Sequence, residues 1–367
     1  MRVIYPALFD AFDCENTDCP CRKALQAAPA PSAKAFAPGQ FPYREAERAL
    51  LRGAARLASE QGPPAKVADI AGDYPIAALG TPTGAELYFA TLCPSVRYAM
   101  SENVDPVDVA RAEGGWRMPV QVFVPDDRLK TVRLTGDKVL PFRAFAAARE
   151  RLLDVVADTT LTQFARMARL AHLTDALIAD GEIASTVGGG LPPLTPRMFL
   201  SFRAHVEARV EAADTGALAQ GLGKYWPMFS DLELDADHLA ALPKALAEDW
   251  RTQIGHWLAV AEAEVAPAVE TYLGVRVFAI PLDRDQSVQR GYAELFESFA
   301  QALRLVVALA EVKQSPVAPW QLTACWALCE ALLADGGKPV PAFVRPTDAH
   351  GRTPHISDMD MTLGGIA

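Results

Sequence analysis

The chain has no apolar run near the ~20 residues that a membrane-spanning helix needs. Its opening, Met1 to Asp10, holds an Arg, a Pro and an Asp and lacks the apolar stretch of a signal peptide. A cytoplasmic protein without membrane segments is the expectation. Positive charge is also short: 35 Lys and Arg face 45 Asp and Glu, for a net charge of −10. That balance speaks against broad nucleic-acid binding, which needs a basic footprint, and against electrostatic adhesion to an anionic membrane. Six cysteines in 367 residues are too few for a disulfide scaffold. There is no H-E-x-x-H, no G-x-S-x-G and no Walker A sequence, so zinc hydrolases, serine hydrolases and P-loop enzymes have no motif support. GLGK at Gly221 to Lys224 is too short to cradle a phosphate.

The chain does have the means to build a core: it is 50% hydrophobic and 22% charged. Four stretches follow one another, at 1–42, 43–136, 137–337 and 338–367. The first ends in AAPAPSAKAFAPGQFP, with Pro29, Pro31, Pro38 and Pro42, which no long helix tolerates. It reads as an extended connector. Tyr43 to Glu60 is rich in helix formers. From Ala65 to Gly136 short apolar pieces alternate with turn residues, and Val120 to Val124 and Thr131 to Thr135 read as a strand, turn, strand unit. Beyond Gly136 the period becomes helical. Phe142, Phe145, Leu152, Leu153 and Val156 recur at helix spacing. Thr160 with Gln163 has the form of a capping box for a second helix to about Ala179. VGGGLPP, Val187 to Pro193, is a break that reads as a subdomain boundary, and its glycines suit a hinge. Thr195-Pro196 signals another start. Leu239 to Gly274 reads as a long helical region interrupted at Pro243 and Pro267. Val288 to Val307 is amphipathic, and Trp320 to Ala334 makes a last helix ended by Gly336-Gly337. The fold class is mainly α with a small β-containing N-terminal part, α+β.

The chemistry-bearing signal is FDCENTDCPCRK. It sets Cys14, Cys19 and Cys21 within eight residues, among Asp, Glu, Asn and Arg rather than apolar neighbours. Thiolates on one short loop can converge on a soft or borderline metal. Cys93, in TLCPSVR, is the fourth candidate: Pro94 favours a turn, and Arg97 offsets thiolate charge. Four thiolates complete a [4Fe–4S] or [2Fe–2S] site or a zinc site. The irregular C-x4-C-x-C spacing suits a cluster better than zinc, whose modules show two C-x2-4-C pairs. Cys325 and Cys329 lie i, i+4 in ACWALCEALL, where core packing is the expectation. The six histidines, His172, His205, His238, His256, His350 and His355, show no paired ligand spacing.

The opening YPALFDAFDCENTDCPCRKAL resembles the start of the flagellin lysine-N-methylase family, with Phe12, Cys14 and Cys19 in matching places and Cys21 alone where that family has a pair. Val269 to Leu309 is similar to a later segment, with Glu270, Tyr272, Phe278 and Pro281 in comparable positions. The resemblance implies a cysteine-ligated iron–sulfur cluster, use of S-adenosylmethionine and methyl transfer to the ε-amine of an exposed lysine on a protein substrate. Glu270 is the carboxylate it points to as a base, and no catalytic or S-adenosylmethionine-binding residue is fixed. The alternative is a non-enzymatic metal- or cluster-binding helical interaction protein, whose site only pins the N-terminal segment to the helices.

Overall fold

The computed structural model describes strands at 76–81, 84–89 and 121–123, and residues 131–185, 189–225, 229, 232–251, 262–280, 287–336 and 343. Within these residues the protein is mainly α-helical with a small β part at the N-terminal side. Strands β1 (Ile76–Thr81) and β2 (Gly84–Phe89) pair antiparallel in register Ile76 with Phe89 and Thr81 with Gly84. Strand β3 (Gln121–Phe123) joins β1 in parallel. Strands β4 (Thr131–Thr135) and β5 (Lys138–Pro141) form a hairpin across Gly136, whose φ of 48° favours glycine. The strands expected at Val120–Val124 and Thr131–Thr135 are both present, but not as one unit. β3 and β4 do not pair with each other: each takes its partner elsewhere, β3 from a strand some forty residues upstream.

Pro141 ends β5 and stands at the N-cap of helix α1 (Phe142–Val156). Phe142, Phe145, Leu152, Val155 and Val156 fill the buried face of α1. Helix α2 (Gln163–Asp180) is capped by Thr162, whose hydroxyl accepts from the Ala165 amide, and is stopped by Gly181 at φ 85°. Thr160 does not cap it: its amide and hydroxyl both donate to the Asp158 carboxylate. Helix α3 (Pro196–Glu211) starts as its sequence reads, with Thr195 accepting from Met198 and Pro196 in the first turn. Helices α4 (Thr215–Tyr225) and α5 (Ala236–Ala247) follow, the latter opened by a reciprocal capping box between Asp235 and His238. Helix α6 (Glu262–Ala279) comes next. Pro243 and Pro267 lie inside α5 and α6 rather than breaking them, and the break between the two helices falls after Ala247.

Helix α7 (Val288–Lys313) is the axis of the helical body. It packs against α2, α3, α5, β4 and the last helix, α8 (Pro319–Gly336). Every residue from 291 to 300 is buried, so α7 is enclosed on all sides in its first half, beyond what an amphipathic helix requires. Gly291 lets the chain at Ile280 come close: a Cβ there would lie 2.6 Å from Ile280 Cγ2. α6 packs on α8, α1 and α2, and α4 on α5 and α8. The helices before and after the 187–193 break contribute to one continuous hydrophobic core, from Val132 to Phe343. Among the described residues, no helix is long and apolar enough to cross a membrane.

Candidate functional site

Cys14, Cys19, Cys21 and Cys93, the expected metal ligands, lie outside the described residues, as do His256, His350, His355 and Pro281. The described thiols are Cys325 and Cys329, both free and fully buried on α8. Burial pushes the Cys329 thiol well above its ordinary range, and the neighbouring Cys325, Glu330 and Glu297 push it the same way. Their full burial on α8 fits packing, as the sequence of this helix implies.

The polar centre of the helical body lies beside these thiols. The Glu330 carboxylate on α8 takes Arg276 Nε at 2.9 and 2.7 Å and the Tyr272 hydroxyl at 3.1 Å, both from α6. All three side chains are buried. The Tyr272 ring stacks on Trp326 with centroids 5.0 Å apart, and the Trp326 indole donates at 2.9 Å to Ser298 of α7. At the adjacent position of α7, Glu297 receives Arg209 of α3 in a fork, at 2.5 and 3.0 Å, and Gln301 at 2.9 Å. These contacts join α3, α6, α7 and α8 through charged groups that composition places on the surface. Sequence reasoning singled out Tyr272 but missed Arg276 and Glu330. The available signal was Arg276 set between Val275 and Val277-Phe278.

Glu270, the carboxylate implied as a base, is about a third exposed and lies 3.8 Å from Arg166 Nη2. The Arg166 guanidinium is itself buried and donates at 3.1 Å to the Asp158 carbonyl just past the end of α1. A second enclosed group is the Tyr292 phenol of α7, faced by Thr174 of α2 and Arg149 of α1. Burial pushes its titration far upward, and Arg149 and Thr174 offset only part of that. It stays a neutral phenol and cannot act as a base.

A pattern recurs at the helix ends. Lys138 donates to the Ile178 and Ala179 carbonyls at 3.0 and 2.6 Å, at the C-terminus of α2. Arg149 donates to the Phe278 carbonyl at the end of α6, with its guanidinium 3.7 Å from the Phe278 ring centre. Arg304 of α7 donates to the Leu246 and Glu248 carbonyls at the end of α5. The last carbonyls of a helix lack intrahelical donors and carry partial negative charge, so a cation from a neighbouring element satisfies both needs. The basic side chains inside this body act as braces between helices.

The remaining sequence candidates resolve into structure. GLGK lies inside α4, where a Cβ on Gly221 would meet Leu332 at 2.5 Å; the glycine admits α8 rather than a phosphate. Gly189, in the triple-glycine break, has φ 82°. His238 closes the capping box of α5. His172 and His205 flank Phe343, a residue far along the chain. Among the described residues no group of three or more His, Cys, Asp or Glu is placed to hold a metal ion. No family model, curated protein or solved structure matches the chain.

Proposed function

We propose that the chain is an S-adenosylmethionine-dependent protein-lysine N-methyltransferase of the flagellin-methylase kind, with an iron–sulfur cluster, [4Fe–4S], on Cys14, Cys19, Cys21 and Cys93. It acts on an exposed lysine of a protein substrate in the cytoplasm. The observation that carries this reading is the C-x4-C-x-C run in a polar setting. S-adenosylmethionine supplies an electrophilic methyl group on a sulfonium. The lysine amine must reach it neutral, so the site has to desolvate the ammonium or take its proton before the new C–N bond forms. Glu270 is the described carboxylate that the resemblance points to for that proton, and its pairing with buried Arg166 holds it in place at the edge of α6.

A second reading has its own support. The described helical body directs its buried charges at one another and at helix ends, which is the construction of a brace. A thiolate-bound metal that only fastens the N-terminal segment to such a body would contribute folding energy without chemistry. Calorimetry of the anaerobically purified full chain with S-adenosylmethionine separates the two. Saturable binding, weakened in the Cys14→Ser/Cys19→Ser variant, supports the methyltransferase. A flat titration for a metal-loaded chain leaves the brace.

A further inference from the structure

Tyr272 and Arg276 lie i, i+4 on α6, and Trp326 and Glu330 lie i, i+4 on α8. Each pair shares a helix face, and the two faces meet where α6 packs on α8. The Tyr272 and Trp326 rings stack there with centroids 5.0 Å apart and planes 28° apart. Beside them Arg276 pairs with Glu330, and the Tyr272 hydroxyl donates to Glu330 Oε2 at 3.1 Å. All four side chains are buried. The two rings differ in where a proton can go. Loss of one electron makes a phenol O–H or an indole N–H strongly acidic, and a charged radical is costly in the core. The Trp326 indole donates at 2.9 Å to the Ser298 hydroxyl, a poor base that itself donates to the Leu295 carbonyl. The Tyr272 phenol donates to a carboxylate. Oxidised Tyr272 therefore has a proton acceptor in place, and oxidised Trp326 has only a hydroxyl.

We propose that Tyr272 and Trp326 form a radical-transfer pair, in which an electron hole made on the Trp326 indole passes to Tyr272 and the phenolic proton moves to Glu330. The first step needs a one-electron oxidant, which takes an electron from the indole and leaves its radical cation. One electron then crosses from Tyr272 through the stacked contact and restores the neutral indole with its N–H intact. The Tyr272 O–H bond breaks, its proton binds Glu330 Oε2, and a neutral phenoxyl radical remains. The positive charge ends on Arg276, where a guanidinium is already held, and not on the indole. One electron added to the phenoxyl draws the proton back and restores the ion pair. Oxidising equivalents that reach this part of the core thus collect on Tyr272.

Flash photolysis of the full chain is the test. An ultraviolet pulse excites tryptophan, and a cobalt(III) ammine complex in solution takes the electron and is reduced to cobalt(II). The pair requires the indole-radical absorbance to decay as the phenoxyl absorbance rises, in a first-order phase independent of protein concentration. After equilibration in heavy water the phase must slow, since a proton moves with the electron. Tyr272→Phe keeps a ring against Trp326 and removes the hydroxyl, so it must lose the phase. Tyr292→Phe, which alters another buried phenol, on α7, must keep it. A phenoxyl signal that does not form, that persists undiminished in Tyr272→Phe, that is lost in Tyr292→Phe, or that grows equally fast in heavy water overturns the proposal. Should Tyr272→Phe not fold, Trp326→Phe decides by the same readout. Loss of the phase supports the pair, and its persistence contradicts it.

Discussion

Arg276 of α6 lies with its Nε 2.9 Å from Oε1 and 2.7 Å from Oε2 of Glu330 on α8, and both side chains are buried. The Tyr272 hydroxyl also donates to this carboxylate. A buried pair of this kind contributes little net stability over an apolar pair, yet breaking it leaves a stranded charge. Glu330→Gln should therefore cost about 3–5 kcal/mol of unfolding free energy, read by urea denaturation. Arg276→Met added to Glu330→Gln should cost less than the sum of the two single changes, since no charge is then stranded. Strict additivity would mean that the pair does not act as a unit.

Arg304 braces the end of α5 from α7. Arg304→Met keeps the length of the side chain and removes its donors, leaving the Leu246 and Glu248 carbonyls without them. The expected loss is about 1–3 kcal/mol, with amide exchange accelerated at the C-terminal turn of α5 before that of α7. Equal acceleration in both helices would argue against a local brace.

The two close-approach glycines should respond differently to alanine. At Gly291 the obstacle is Cγ2 of the β-branched and buried Ile280, 2.6 Å from the added Cβ, at the start of the buried stretch 291–300. At Gly221 it is the branched end of Leu332, both methyls and Cγ, on a γ-branched side chain that is only half-buried and can swing aside. Gly291→Ala should cost about 1–3 kcal/mol, as overpacking does. Gly221→Ala should cost less, because the half-buried Leu332 can move away from the added methyl; the helix preference for alanine, up to ~1 kcal/mol, acts at both sites alike. Thermal unfolding of the two variants gives the order.

Cys329 ties stability to alkaline pH. Its thiol titrates higher folded than unfolded, so it contributes stability below the free thiol value of about 8.5. That contribution is lost as pH rises above it. Unfolding free energy should fall between about pH 8.5 and pH 10, and less steeply in Cys329→Ala. In the native state at neutral pH, Cys325 and Cys329 should resist alkylation, which needs an exposed thiolate. Cys325→Ala with Cys329→Ala should leave metal content unchanged and cost ~1–2 kcal/mol per site.

The helix pattern was legible where local chemistry decides it. Thr195-Pro196 capped α3 as it reads, and the periodic apolar positions of α1 face the core. Reading failed where a neighbour competes. The Asp158 carboxylate takes Thr160, so the cap passes to Thr162. Pro243 is tolerated inside α5 because Leu242, Ala245 and Leu246 on either side of it are buried, a tertiary gain that outweighs local propensity. The parallel β1–β3 pairing has no local signature at all. The braces were the least legible part. Arg149, Arg166, Arg276 and Arg304 are buried, yet hydrophobic periodicity assigns every arginine to solvent. The cysteine site stands on sequence alone, since Cys14, Cys19, Cys21 and Cys93 fall outside the described residues.

Metal content of the anaerobically purified full chain tests the central claim most directly. Iron, sulfide and zinc are assayed together with the visible absorbance spectrum, in the parent and in Cys14→Ser/Cys19→Ser. An iron–sulfur protein should carry up to ~4 iron and a matching amount of sulfide, with the broad charge-transfer absorbance of thiolate-bound iron, all lost in the variant. A parent chain with no metal, with zinc in place of iron, or with iron that survives the loss of both thiols contradicts it.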